Sequence, residues 1–108
     1  MNIAVSGPIV DMKYRAIMED GSIYEVPVLF IAMDRARYYA KIDDVELNES
    51  LNNDTIPLFL DDEYEIADWA KNNMDWDDVK NVAKQVKGPS NVDFQEGWVN
   101  GEYAIQGK

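Results

Sequence analysis

Residues 61–86 carry the clearest hydrophobic pattern of the chain, with apolar positions three or four residues apart. In the first half of this stretch, one helical face is formed by Ile66, Trp69, Ala70 and Asn73. In the second half, the apolar stripe consists of Trp76, Val79, Val82, Ala83 and Val86. Because side chains three or four residues apart share one face of a helix, this spacing predicts two consecutive helices.

The break between these two helices is predicted at residues 72–74, because Asn-Asn-Met is poor helix-forming sequence. Asp75 is followed three residues later by Asp78, which matches an N-cap residue with an acidic residue at the third helical position. The second helix is therefore expected to begin just after Asp75.

The N-terminal part of the chain has the alternation that is typical of strands. Residues 2–5 predict a short strand, and residues 12–18 and 23–28 alternate apolar and polar side chains around the turn sequence Glu-Asp-Gly-Ser. The second and third segments therefore predict a hairpin. Pro27 has no N–H to donate, so its strand is expected to lie at an edge or to end there.

Residues 30–42 contain good helix formers and neither glycine nor proline, which predicts a helix that starts between residues 29 and 34. Residues 43–60 show no clear period and are predicted to form a long, partly ordered connection, with one helical turn near residues 45–51. Pro57 is expected to break any helix in this connection.

The C-terminal part predicts a second hairpin. Residues 92–99 and 102–106 flank Asn100-Gly101, a strong signal for a tight two-residue turn. Strands at both ends and helices in the middle predict a single domain, residues 1–108, of the α+β class. We expect two layers, in which the N-terminal and C-terminal hairpins form an antiparallel or mixed sheet packed against about three helices.

Composition narrows the class of protein. The chain has 108 residues and is 46% hydrophobic, which is sufficient for one folded core. It has no apolar run of membrane-spanning length and no basic N-terminal leader, so a cytoplasmic location is expected. The absence of histidine and cysteine excludes zinc hydrolases and Ser-His or Cys-His nucleophilic catalysis.

Charge is distributed unevenly. The net charge is -11, and residues 43–78 hold thirteen acidic residues against one basic residue, Lys71. Direct binding to nucleic acid or to an anionic membrane requires clustered lysine and arginine, so neither is expected. A basic protein is the natural partner for such a surface.

The predicted partner-binding residues are Asp43, Asp44, Glu46, Glu49, Asp61, Asp62, Glu65 and Asp68. On one helix, Asp61, Glu65 and Asp68 would form a row with a spacing comparable to that of phosphates along a DNA strand. This row predicts a non-enzymatic protein that binds a basic partner, including the specific case of a DNA mimic that inhibits a nucleic-acid-binding enzyme. Dispersal of the acids of residues 43–78 over all sides of the molecule, with pairing to Arg35, Arg37, Lys80 and Lys84, would count against mimicry.

Several alternatives remain open at this point. One is an enzyme or small-molecule binder with its site between sheet and helices, and another is a minor component of a virion or regulatory complex. A carboxylate pair could perform acid-base chemistry, although no pair is singled out. No calcium-loop pattern fits, which leaves a weak divalent-ion patch at Asp61, Asp62 and Glu65 as the metal alternative. No cofactor or metal is predicted.

Aromatic residues also allow two interpretations. Trp69, Trp76 and Trp98 are expected in the core. The alternative is a stacking platform for single-stranded nucleic acid, formed on the sheet by Tyr14, Tyr24, Tyr38, Tyr39 and Tyr103. The acidic composition favours the core interpretation, because such platforms need a basic groove.

Three stretches carry a resemblance to known proteins: DGSIYEVPVLFIAMDRARYYAK (20–41), DWAKNNMDWDDVKNVA (68–83) and DFQEGWVNGEYAI (93–105). Together they resemble small uncharacterised proteins of tailed bacteriophages, including phages that infect cyanobacteria. The resemblance implies a small soluble protein made in a host cytoplasm, and it carries no established activity or site residue. Small acidic phage proteins often redirect host machinery, so the resemblance favours the inhibitor hypothesis.

Overall fold

The computed structural model of the protein describes residues 5, 7–89 and 91–107. The strand predicted over residues 2–5 falls, apart from Val5, outside the described residues. A short 3-10 helix, Pro8–Asp11, buries Ile9 and leads into the sheet.

The predicted N-terminal hairpin is confirmed. Strands β1 (Lys13–Ile17) and β2 (Ile23–Pro27) pair antiparallel, and β2 ends at the proline, as expected from its missing N–H. At the turn, the Asp20 carboxylate accepts hydrogen bonds from the Ser22 hydroxyl (2.7 Å) and backbone N–H (3.0 Å). These bonds, together with one from the backbone of Asn91, lower the pKa of Asp20.

In the described part of the chain the sheet has four strands in the order β3-β2-β1-β4, and each of their pairings is antiparallel. Strand β3 spans Lys84–Lys87 and β4 spans Glu102–Gln106, so the two strands nearest in sequence to the C-terminus form opposite edges. In the middle, Tyr14 lies opposite Val26 on one side and Ile105 on the other.

Helix α1, Val28–Asp43, confirms the predicted helix and starts one residue before the predicted interval. Its Arg35 side chain donates to the carboxylate of Asp54 (3.3 Å) and to the hydroxyl of Thr55 (2.9 Å). These contacts attach α1 to the segment that follows it.

The prediction of a long, partly ordered connection over residues 43–60 is wrong, although the helical turn predicted near residues 45–51 is confirmed. The segment is helical from Leu47 onwards, as α2 (Leu47–Glu49), a π-helical segment (Ser50–Thr55) and α3 (Ile56–Asp61). In an α-helix the proline ring clashes with the carbonyl four residues earlier. Here the wider π turn ends just before Pro57, so the helical path continues through the position where a break was expected.

The first of the two predicted central helices is confirmed as α4, Glu63–Asn73. The predicted break and cap are also confirmed, because Asp75 and Asp78 form a capping box at the start of α5, Trp76–Val79. The second helix was predicted to reach residue 86, and this is wrong: it ends at Val79. Residues 84–87 instead pair with the free edge of β2 as strand β3.

The predicted C-terminal hairpin is wrong in its first half. Residues 94–100 form helix α6, Phe94–Asn100, and its N-cap Asp93 accepts a hydrogen bond from the N–H of Glu96 (3.1 Å). The second half is a strand as predicted, β4, but it pairs with β1. Gly101 ends the helix: a Cβ there would lie 2.4 Å from the Gly97 carbonyl oxygen and 2.8 Å from that of Ile17.

Aromatic side chains fill the space between the sheet and helices α5 and α6. The Tyr14 ring meets Trp98 edge-on at 5.3 Å, and the Tyr24 ring meets Trp76 at 5.4 Å. The core interpretation of the tryptophans is confirmed. The tyrosine platform is wrong, because Tyr14 is buried under the helices and Tyr38 lies on α1 rather than on the sheet. The α+β fold class is confirmed.

Candidate functional site

The eight predicted partner-binding residues fall into two clusters rather than one surface. The loop cluster, where α1 ends and α2 begins, consists of Asp43, Asp44, Glu46 and Glu49. The corner cluster, where α3 meets α4, consists of Asp61, Asp62, Glu65 and Asp68. The helical segment 47–61 joins the two clusters, with Glu49 near its start and Asp61 at its end.

Backbone geometry explains the exposure of the loop cluster. Helix α1 stops because Asp44 adopts a left-handed conformation, φ 54°, and its N–H bonds to the carbonyl of Ala40. Glu46 is then extended at the N-cap of α2. All four acidic side chains of the loop cluster are exposed.

The corner cluster contains the main correction to the predicted site. Asp62 is extended, with φ -142°, and its carboxylate caps α4 by accepting from the N–H of Tyr64 at 3.0 Å. Asp61 therefore belongs to α3, and the predicted row of three acids on one helix is wrong. Glu65 and Asp68 do share the outward side of α4, because they are three residues apart on it.

None of the eight carboxylates forms an ion pair within the described part of the chain. Two other acids of residues 43–78 do pair with cations that were named as counting against mimicry: Asp54 with Arg35 and Asp77 with Lys80. Arg37 pairs with Asp34, which lies outside that stretch. Asp68 accepts only from the side-chain amide of Asn72, at 2.8 Å. The negative charge of both clusters is therefore not compensated by cations of the described chain.

A groove of about 470 Å³ lies between the outward side of α4 and the start of β4. Its walls include Tyr64, Asp68 and Lys71 from α4 and Glu102 and Tyr103 from β4. Lys71 does not neutralise these carboxylates. Its ammonium donates to the carbonyl oxygens of Trp98, at 3.4 Å, and of Gly101, and burial lowers its pKa.

A second groove, of about 570 Å³, lies between α1, α2 and α4 and contains no sheet residue. One wall is Trp69, whose indole N–H donates to Asp34 at 2.9 Å. Arg37 lies 3.8 Å from the other oxygen of that carboxylate. Because Asp34 is engaged on both oxygens, it holds two helices together and is poorly placed for acid-base chemistry.

Two further residues border the corner cluster and were not predicted from the sequence, Tyr64 and Glu102. Tyr64 is 60% exposed and lies four residues before Asp68, so a helical projection of α4 places both on the acidic side. Glu102 could not be found in this way, because its position depends on the pairing of β4 with β1.

In the described part of the chain, no group of three or more acidic, histidine or cysteine side chains is arranged to hold a metal ion. No helix among the described residues has the length and apolarity needed to cross a membrane. No protein-family model, curated protein or solved structure matches this chain significantly. The resemblance to phage proteins stays a prediction.

Proposed function

We propose that the protein is a non-enzymatic binding module that contacts a basic protein partner through its two acidic clusters. The observation that supports this most directly is the absence of ion pairs, within the described chain, at all eight carboxylates. A folded protein of net charge -11 retains this repulsion at a cost in stability. A cationic partner would relieve the repulsion, and the released energy would favour binding.

The separation of the clusters determines how they act. The clusters lie at two different turns of the backbone, one between α1 and α2 and one between α3 and α4, so they offer two contact points. A partner with two basic patches at matching distance gains from both. Each cluster also raises the association rate by attracting the partner before contact.

DNA mimicry is the more specific form of this proposal. The two clusters lie towards opposite ends of the helical segment 47–61. On the partner, they can occupy two basic patches that normally bind two separate phosphates of one DNA duplex. A straight row of three acids is not part of this form, because Asp62 interrupts it. The distinguishing property of a mimic is that duplex DNA competes with it for the same partner.

The experiment is a pull-down from bacterial lysate with three variants of equal charge change. The loop variant carries D43N, E46Q and E49Q, and the corner variant carries D61N, E65Q and D68N. The control variant carries D11N, E19Q and E96Q, which are exposed acids outside both clusters. Asp44 and Asp62 are kept because they shape the backbone at the two clusters.

A captured basic protein supports the proposal if raising the salt concentration releases it. Its capture should also be reduced with the loop or corner variant and unchanged with the control variant. Release by added duplex DNA supports mimicry. Equal capture by all three variants, at every salt concentration, would overturn the proposal and direct attention to the grooves as small-molecule sites.

A further inference from the structure

Among the residues that the structure describes, strand β4 forms one edge of the sheet and its outer side has no partner. Its pairing there is with β1, from Ile17↔Glu102 to Lys13↔Gln106. Within the described residues, no other strand and no side chain hydrogen-bonds to the outer side of β4. An edge of this kind presents unpaired backbone N–H and C=O groups to which another strand can be added.

The two edges of the sheet differ in how they are protected. Strand β3 has only four residues, begins and ends with lysine, and pairs with β2 through an irregular register. Short length, lysine and irregularity are the devices by which proteins block strand addition. Strand β4 has five residues, and its central residues Tyr103, Ala104 and Ile105 are uncharged and contain no proline. The unblocked edge is therefore β4.

The groove beside this edge is acidic on both sides. Asp68 of α4 and Glu102 of β4 line it, and Tyr64 adds an exposed aromatic ring. Neither carboxylate is neutralised by an ion pair within the described chain, since Lys71 donates to backbone carbonyls instead. The backbone groups on the outer side of β4 and the carboxylates of Asp68 and Glu102 therefore lie next to each other.

We propose that this edge and groove bind an extended basic segment of a protein, which adds to β4 as a fifth strand. The inference rests on the proposed function and specifies which part of the partner is bound at the corner cluster. Alternate side chains of the added strand point towards α4, where lysine or arginine meets Asp68. The backbone supplies affinity, and the alternating cations supply specificity.

A second copy of this chain is a poor occupant of the same edge. Two-fold pairing of β4 with β4 would bring two copies of Glu102 and Asp68 to one interface. Like charges in such an arrangement repel, and the net charge of each chain is -11. A cationic strand has the opposite sign and removes this repulsion.

The probe is a short synthetic peptide in which lysine and threonine alternate, titrated into the isotopically labelled full chain at about 50 mM salt. A second peptide has the same sequence with N-methyl groups on alternate amides, which removes the donors of one strand edge. A third replaces each lysine by glutamate. The protein variants are D68N with E102Q, and D11N with E19Q as a control pair of equal charge change that lies outside both acidic clusters.

We expect amide shifts at residues 102–106 and along the outward side of α4, and slower hydrogen exchange of the outer β4 amides. N-methylation should weaken binding about tenfold, because several backbone hydrogen bonds are lost. D68N with E102Q should weaken it several-fold, while the control pair should have less effect. The glutamate peptide should not bind.

Equal binding of the N-methylated peptide, or shifts confined to the loop cluster, would overturn strand addition while leaving the proposed function standing. No binding of the lysine peptide at low salt would also overturn strand addition, whereas the proposed function is decided separately by the pull-down. Concentration-dependent dimerisation of the free chain that protects β4 amides would also overturn the inference, since the occupant would then be a second copy.

Discussion

Trp98 donates its indole N–H to the backbone carbonyl of Ala70 at 2.8 Å and thereby attaches α6 to the last turn of α4. The same N–H lies 3.1 Å from the carbonyl of Met74, just beyond that helix. Carbonyls at a helix C-terminus lack partners within the helix, and a buried carbonyl without a partner is costly. One fully buried side chain therefore caps α4 and positions α6 against the sheet.

Replacing Trp98 by phenylalanine should destabilise the protein by roughly 2–4 kcal/mol, because it leaves a cavity and removes the donor shared by two carbonyls. Trp76→Phe is the matched control: that ring also packs in the core, but no indole hydrogen bond of Trp76 is found within the described chain. Urea denaturation of both variants measures the difference. A cost for Trp98→Phe no larger than that of the control would contradict this role.

Elements with strong local signals were predictable from the sequence. The hairpin of β1 and β2 follows from alternation around an Asp-Gly turn, and α1 follows from a run without glycine or proline. The cap formed by Asp75 and Asp78 was also predictable, because a capping box depends on residues three positions apart. Short-range chemistry decides each of these elements.

Elements decided by distant contacts were not predictable. Val82 and Val86 extend the apolar stripe of α5, but the free edge of β2 offers hydrogen bonds to residues 84–87, and pairing prevails over helical spacing. Phe94 and Trp98 fit both an alternating strand and one helical face, since they are four residues apart. The overlooked signal there is Asp93 followed by Glu96, which marks a helix start.

Two valines test directly whether the helix that begins at Trp76 ends at Val79 or continues to residue 86. Val79 is fully buried in the core, whereas Val86 is 40% exposed on an edge strand. Val79→Ala should cost about 2 kcal/mol of unfolding free energy, and Val86→Ala about 0.5 kcal/mol or less. Equal and large costs in urea denaturation would instead favour the long helix that the sequence suggested.

The acidic stretches of the proposed site were visible in the sequence, but their arrangement in space was not. The sequence places eight acids in two short stretches, and composition alone shows that lysine and arginine are scarce there. The separation of the clusters depends on residues 47–61 being helical, which the π turn before Pro57 permits. The edge beside the corner cluster depends on β4 pairing with β1, a contact between opposite ends of the chain.

The buried hydroxyl of Tyr14 leads to a prediction about stability at neutral pH. Its ring is fully buried, and its hydroxyl has no hydrogen-bond partner among the described residues. Tyr14→Phe removes this unsatisfied group and should be neutral or should stabilise the protein by up to about 1 kcal/mol at neutral pH. Thermal or urea denaturation at pH 7 checks this expectation, and a clear loss of stability would show that the hydroxyl has a partner after all.

Burial, and secondarily the neighbouring Tyr103, raises the pKa of Tyr14 above its ordinary value of 10.0. Because the folded state holds this proton more tightly, its contribution to stability is complete below pH 10.0 and declines as pH rises further. The slope is up to about 1.4 kcal/mol per pH unit. The stability of Tyr14→Phe relative to the natural protein should therefore increase between pH 9 and pH 11, and a constant difference would contradict the raised pKa.

Unpaired acids in the loop cluster should make stability depend on salt. The variant with D43N, E46Q and E49Q should melt about 3 °C higher than the natural protein at low ionic strength, because it removes repulsion among exposed like charges. At about 0.5 M salt the difference should nearly vanish, since screening already weakens that repulsion. The variant with D11N, E19Q and E96Q removes acids from the part of the chain where bases balance them, so its melting temperature should not rise. Equal increases in both variants would show that total charge, rather than the loop cluster, determines the repulsion.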